Sequence, residues 1–410
     1  MTFSTLSMPL LLLPLVGGLS ARGFGETGIS GISKPWTEVP SAPMAGDALL
    51  EDGNRLLQGL GLSFSANWIH DSNVNQANER NLRVESDWIL SLAPAVTWET
   101  QVRDFTLALN AGANYDYYGN LDEYSGLDYR AGGKLGYEGG PLSLDGSVNY
   151  GSTQGVDRFA GGLTENRSFV LQLAARYALS TKTVLDASFS AADSSSILQT
   201  GASTVSDTSQ TVFQLGALWQ ATPLIRLGPG LRSTLSTTEN AGDRTTVGPM
   251  LRADYRLSEK VSLDSRIGLD FVEFDGGSSD QFTSAAVGLK YQLDALWGFN
   301  FELSRDVEPD TGISGGFRES MQWRFGVARK ILAAQLDLAV GSESSEFSGG
   351  RGGPARDDRD YLIFDAGLGM PVFGDRGRAR VFVRHQDSSS NAPRDDWSGL
   401  QSGLSLSFGF

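Results

Sequence analysis

Cysteine is absent from this 410-residue chain, and histidine occurs only twice. Without thiols there is no disulfide framework, no iron–sulfur ligation and no thiolate zinc site. Two imidazoles leave little for a histidine-rich metal centre. A basic face is missing too: the formal net charge is −15, which argues against nucleic acid as a partner, since phosphates call for clustered Lys and Arg. Beyond residue 20 there is no 18-residue apolar run, so membrane helices are not expected. No phosphate loop, dinucleotide fingerprint or metal-ligand spacing occurs, so no cofactor, no metal and no enzymatic activity are expected. His70 and His385 are the only imidazoles, and neither lies in a recognisable nucleophile motif.

What the chain does have is glycine, 50 residues of it, and aromatic side chains, with 8 Trp, 11 Tyr and 21 Phe. Near the start, residues 8–16 (Met-Pro-Leu-Leu-Leu-Leu-Pro-Leu-Val) form a short apolar run followed by Gly17, Gly18 and Ser20. This reads as a secretory leader over 1–21, although residues 1–7 lack the usual Lys or Arg. A Gly-, Ser- and Pro-rich stretch follows and reads as a flexible periplasmic segment over 22–58.

From about residue 60 the chain alternates apolar and polar residues. Leu60, Leu62, Phe64, Ala66 and Trp68 are separated by Ser63, Ser65 and Asn67. Phe105, Leu107, Leu109, Ala111, Ala113, Tyr115 and Tyr117 repeat the pattern. Successive side chains of a strand point to opposite faces, so each run has one greasy face and one wet face. Runs of this length suit tilted strands that cross a bilayer. The reading gives about eighteen strands over 59–410, or sixteen if the weakest runs, 297–303 and 379–384, do not form.

Two further patterns agree. Short turns such as Glu99-Thr100-Gln101 and Ser258-Glu259-Lys260 alternate with longer connections near 70–83, 118–126, 151–166, 192–208, 236–244, 272–281, 304–318, 341–360 and 386–397. Outer-membrane barrels alternate in this way. Trp98, Tyr137, Tyr177, Trp219, Tyr255 and Tyr291 fall just before short turns, with Trp297 just after one. That places one aromatic belt at one membrane interface. Because unpaired backbone groups are costly in lipid, the sheet must close. The expected fold is an all-β, antiparallel, up-and-down transmembrane barrel. Pro94, Pro229 and Pro249 each remove one ladder donor within it.

The chain ends Leu404-Ser-Leu-Ser-Phe-Gly-Phe410. This resembles the terminal signal, here Phe408 and Phe410, by which Gram-negative outer-membrane barrels are recognised by their assembly machinery. The first strand runs into Trp68-Ile69-His70-Asp71-Ser72-Asn73. Its aromatic-then-Asp71-Ser72-Asn73 stretch resembles the same place in the β-barrel porin 2 family, which is often linked to exopolysaccharide production operons. The resemblance implies an outer-membrane location and a role in exopolysaccharide export. It also implies lipid, lipopolysaccharide, the assembly machinery, a polysaccharide and periplasmic export proteins as partners. Physics alone implies a hydrophilic passage. A general small-solute porin and a plugged structural or adhesive barrel are the alternatives.

On the wet face lie Arg130, Lys134, Arg176, Arg226, Arg232, Arg252, Arg256, Arg266, Lys290 and Arg324. Arg226, Arg232, Arg252, Arg256 and Arg266 fall on three consecutive strands. They form either a basic ladder that steers anions or a wall neutralised by Asp254 and Asp264. Inward glycines, among them Gly132, Gly228 and Gly248, are expected to widen the bore or to admit inserted backbone. Acidic outer loops (Asp71, Asp122-Glu123, Asp357-Asp358, Asp395-Asp396) carry oxygen ligands of the kind that bind Ca²⁺ or Mg²⁺; a solvated loop is the plainer reading.

Overall fold

The computed structural model describes residues 59–78, 83–157, 162–199, 207–239, 242–275, 277, 279–309, 317–348, 358–374, 376–391 and 396–410. The expected leader and linker (1–58) lie outside the described residues, as do Asp357, Asp395 and the Gly-rich stretch 349–353.

Eighteen strands follow one another along the chain. They are β1 (Leu60–Asp71), β2 (Asp87–Val102), β3 (Phe105–Tyr118), β4 (Gly126–Gly139), β5 (Leu142–Asp157) and β6 (Gly162–Ala178). Next come β7 (Thr183–Leu198), β8 (Thr208–Gln220), β9 (Ile225–Thr238), β10 (Gly242–Ser258), β11 (Val261–Phe274) and β12 (Ser279–Gln292). The last are β13 (Trp297–Pro309), β14 (Phe317–Ile331), β15 (Ala334–Ser348), β16 (Arg359–Val372), β17 (Gly377–Ser390) and β18 (Trp397–Gly409). Each pairs antiparallel with its neighbours in sequence, and β1 pairs with β18, so the sheet is a closed barrel. Both weak runs are full strands, β13 with 13 residues and β17 with 14. Eighteen is therefore the count among the described residues.

The faces sort as the alternation requires. Outward residues such as Leu62, Trp68, Leu251 and Ile267 are at least half exposed, at 50, 56, 55 and 61%. Their cross-strand partners lie on the same face: Leu62 opposite Val96, Trp68 opposite Leu90, Leu251 opposite Ile267. An exposed apolar exterior of this extent has no place in water and matches lipid. A closed sheet with an even strand count, a greasy outside and a polar inside is the architecture of an outer-membrane barrel. The belt residues Trp98, Tyr137, Tyr177, Trp219, Tyr255, Tyr291 and Trp297 all take outward register positions near short-turn ends. Tyr291, Phe299 and Trp297 stack in succession, with centroids 5.8 and 6.0 Å apart, and Arg329 lies 4.6 Å over the Trp297 ring.

Several expected outer loops are in fact strand. Residues 151–166, read from sequence as a connection, form a hairpin whose ladder runs from Ser152↔Arg167 to Asp157↔Gly162. Above the bilayer both faces meet water, so period-two patterning fades although backbone pairing persists.

Each proline is accommodated by a lapse in one of its two ladders. Pro94 stays in register with Phe64 of β1, while the β2–β3 ladder skips from Leu92↔Tyr115 to Ala95↔Gly112. Pro229 pairs with Leu251 of β10, and the β8–β9 ladder skips from Gly216↔Gly230 to Trp219↔Leu227. Pro249 pairs with Leu231 of β9, and the β10–β11 ladder skips from Val247↔Phe271 to Met250↔Gly268. The missing N–H thus costs one side of the strand only.

The seam is tied at both ends. At the short-turn end the Phe410 N–H donates to the Leu62 carbonyl at 2.8 Å, and the Leu62 N–H donates to Phe410 O at 3.1 Å. At the opposite end Asp71, Ser72 and Asn73 fasten the first loop to β18. Gln401 Nε2 donates to Asp71 Oδ2 at 2.7 Å, and the Leu400 N–H donates to Ser72 Oγ at 2.8 Å. Asn73 Nδ2 donates to the carbonyls of Ser398 (2.8 Å) and Ala77 (2.9 Å), and Asn73 Oδ1 accepts from the Ala77 N–H at 2.9 Å.

Candidate functional site: the lumen wall

The register places every cation named from the sequence on the inner face, since each lies opposite polar or small residues of the same phase. Arg232 faces Gly248, Arg252 faces Arg266, Asp254 faces Asp264, and Arg324 faces Glu302. The ten cations then divide into two groups.

Four are neutralised. Arg226 sits 3.0 Å from Asp254, and Arg252 Nη1 lies 2.5 Å from Asp186 of β7. Arg232 reaches Asp270 at 2.5 Å and Asp306 at 2.9 Å, and Arg266 reaches Asp306 at 3.5 Å. The basic ladder expected over β9–β11 is therefore an ion-paired wall. Its partners are Asp186, Asp254, Asp270 and Asp306; Asp264, expected to be one, makes no ion pair among the described residues. The Arg232 and Asp270 side chains are only 6 and 3% exposed, so each needs the other to remain charged there. Arg232 and Asp306 lie on strands four apart. That is about 19 Å along a flat sheet, too far for a side-chain contact. The wall must therefore curve sharply at β9–β13, next to the ladder lapses at Pro229 and Pro249.

The remaining six, Arg130, Lys134, Arg176, Arg256, Lys290 and Arg324, make no ion pair among the described residues. Arg130, Lys134 and Arg176 project from β4 and β6, on a wall that also carries Ser147, Asn149, Ser168, Gln172, Ser188 and Ser190 and the carboxylates Asp128 and Asp145. The salt bridges thus run over β7–β17, where Arg256, Lys290 and Arg324 stand outside them, while β4 and β6 offer Arg130, Lys134 and Arg176 among mostly small polar side chains.

Sequence reading missed the outer part of the ion-paired wall. Arg318 bonds to Glu308 and lies 3.3 Å from Glu343, and Arg244 donates from Nη2 to the Val307 carbonyl at 3.4 Å. These residues fall in stretches read as loops. The available signal was phase: Arg244 and Thr246 continue the even-numbered inward set of Arg252 and Arg256.

Inward glycines do not simply widen the bore. They are floors over which long side chains lie flat. A Cβ on Gly248 would meet Asp270 Oδ1 at 2.0 Å, beneath the Arg232–Asp270 bridge. One on Gly216 would meet Arg252 Nη1 at 2.4 Å and Asp186 Oδ1 at 3.1 Å. Gly367 lies under Arg380 in the same manner, and Arg380 and Arg384 share Asp365 at 3.1 and 2.8 Å.

Both imidazoles take outward positions, His70 against Trp88 at 4.7 Å between ring centroids. Among the described residues no group of three or more His, Cys, Asp and Glu is arranged to hold a metal ion. In the 3₁₀ turn Asp122–Tyr124 between β3 and β4, burial and the charges of Glu85 and Glu123 push the Tyr124 hydroxyl above its ordinary range.

No protein-family model matches the chain, and no curated protein matches its sequence. The resemblance to the β-barrel porin 2 family therefore stays with the short stretch 68–73. Among solved structures the fold is similar to the outer-membrane protein OpdK of Pseudomonas aeruginosa. The identity is 11% and the TM-score 0.45, over 86% of this chain and 100% of that one. It is similar to OpdO of the same organism at 10% identity and a TM-score of 0.45, over 86 and 96% of the two chains. Acinetobacter baumannii OccAB4 gives 12% identity and a TM-score of 0.43, over 86 and 98%.

Proposed function

We propose that this protein is an outer-membrane porin that passes small hydrophilic solutes. The observation that carries the reading is the division of the lumen wall. A closed barrel of eighteen strands encloses space; internal salt bridges occupy much of its inner face over β7–β17, and the cations outside them, Arg130, Lys134 and Arg176 on β4 and β6 and Arg256, Lys290 and Arg324 on β10, β12 and β14, are turned inward with hydroxyl groups. A passage for a bulky exopolysaccharide is the less supported reading. That reading rests on the short stretch 68–73, whose Asp71, Ser72 and Asn73 fasten the first loop to β18. Lipid and lipopolysaccharide around the exterior, and the barrel assembly machinery acting on the terminal Phe408 and Phe410, are the partners that this role entails.

Purified protein in planar lipid bilayers tests the reading. Discrete conductance steps, together with swelling of protein-loaded liposomes in small sugars but not in long oligosaccharides, are expected. A barrel that inserts but never conducts would make it a plugged structural protein.

A further inference from the structure

On the open wall, Arg130 and Lys134 project from β4 two same-face positions apart, about 13 Å along the strand. Gly132 lies between them on the same face, flanked by Asn110 of β3 and Asn149 of β5. Both amides lean over the glycine. The position a Gly132 Cβ would take is 2.4 Å from Asn149 Oδ1 and 3.2 Å from Asn110 Nδ2. Neither amide makes a hydrogen bond among the described residues, and neither cation makes an ion pair. Arg130 is itself flanked by Gly112 and Gly151, and Lys134 by Ala108 and Ser147, so the cross-strand neighbours of both are small. Asp128 and Asp145 bracket the run: Asp128 accepts from the Gln154 N–H at 2.8 Å, and Asp145 Oδ1 is 3.8 Å from where a Gly136 Cβ would be.

We propose that this recess is a binding subsite for a hydroxylated organic anion of the sugar-acid type. The inference rests on the passage reading above and names its solute class. The chemistry follows from the groups. A guanidinium or an ammonium takes the carboxylate. Two neutral amides, each both donor and acceptor, suit a row of hydroxyl groups, which offer the same duality. The glycine lets both amides settle low over the backbone, so the solute lies across them between the two cations. A bare inorganic anion would use the cations and leave the amides idle; a neutral sugar would do the reverse. Only a solute with both features engages the whole set.

The test uses the full chain in planar bilayers, with gluconate as probe and acetate and glucose as comparators. Gluconate is expected to interrupt the ionic current in a concentration-dependent manner at levels where acetate and glucose do not. Arg130→Gln and Lys134→Gln are each expected to weaken this block by roughly tenfold. Asn149→Ala is expected to weaken it while leaving the reversal potential in a KCl gradient unchanged, which separates a hydrogen-bonding role from a general field. Gly132→Ser, which fills the floor, should also weaken it. Lys330→Gln removes the same charge from β14 and should leave the block intact. The proposal is overturned if acetate blocks as well as gluconate, or if Lys330→Gln weakens the block as much as Lys134→Gln. Absence of any conductance in the unmodified protein would instead remove the passage reading, and this subsite with it.

Discussion

Arg252 of β10 reaches across two intervening strands and over Gly216 to place Nη1 2.5 Å from Asp186 Oδ2 of β7. The contact exists because Gly216 has no side chain. Replacing Gly216 by Val puts carbon where the guanidinium now lies, and the pair separates. The two charges then act separately with the net charge unchanged, whereas Asp186→Asn leaves Arg252 as a free cation and should move the reversal potential in a KCl gradient toward anions. An unchanged reversal potential would mean that the pair does not shape the field along the path.

Arg232 lies between Asp270 and Asp306 with almost no access to water. Arg232→Met leaves the buried Asp270 without its ion-pair partner and Asp306 with only the longer contact to Arg266 at 3.5 Å. A loss of roughly 3 to 5 kcal/mol in unfolding free energy is expected, read from denaturant titration of the reconstituted barrel. Arg232→Lys should fall in between, because an ammonium cannot fork to two carboxylates. Equal stability of all three proteins would count against a structural role for this cluster.

Much of this architecture was legible from residue order. Period-two alternation marked the faces, and the aromatics at 98, 137, 177, 219, 255 and 291 marked one interface. Local patterning can do this because each strand's two faces meet two different solvents. It could not show which cations are neutralised. Arg226 and Asp254 are near neighbours across one ladder, but Arg252 and Asp186 lie 66 residues apart, and Arg232 and Asp306 lie 74 apart. Those contacts depend on how the closed wall curves, which no local pattern encodes. Nor did patterning extend beyond the membrane, so Arg244, Glu308 and Arg318 were hidden in apparent loops.

The Asn73 amide braces the first loop with two hydrogen bonds to Ala77 and ties it to β18 with a third, to the Ser398 carbonyl. Asn73→Ala should cost about 1 to 3 kcal/mol, since the buried groups it serves are left without partners. The change should appear as faster proteolysis within residues 72–86 of the inserted barrel while conductance persists. Asn73→Asp should not rescue it, because a carboxylate cannot donate to the Ser398 carbonyl.

Phe410 contributes both its N–H and its carbonyl to the seam with Leu62. Removing Phe410 should have two separable effects. In cells, little barrel should reach the outer membrane, because the terminal aromatic is the expected recognition feature. In detergent, the purified chain should still refold, since the ladder from Ser63↔Gly409 to Asp71↔Gln401 remains. Full accumulation in cells would remove Phe410 from the assembly signal.

A substitution pair on β10 and β8, either side of β9, tests the orientation of the sheet there. Leu251 points outward at mid-strand and is 55% exposed, whereas Gln214 points inward, opposite Arg232 and Ser188. Leu251→Arg places a charge in hydrocarbon and should cost about 2 to 4 kcal/mol near the bilayer centre. Gln214→Arg places the same charge in the aqueous interior, where the cost should be far smaller and the effect should appear in ion selectivity. Unfolding titrations of both variants in lipid vesicles give the comparison. If Gln214→Arg destabilised the barrel more than Leu251→Arg, the assignment of inside and outside would be reversed for this part of the wall. The solute path derived from it would then have to be abandoned.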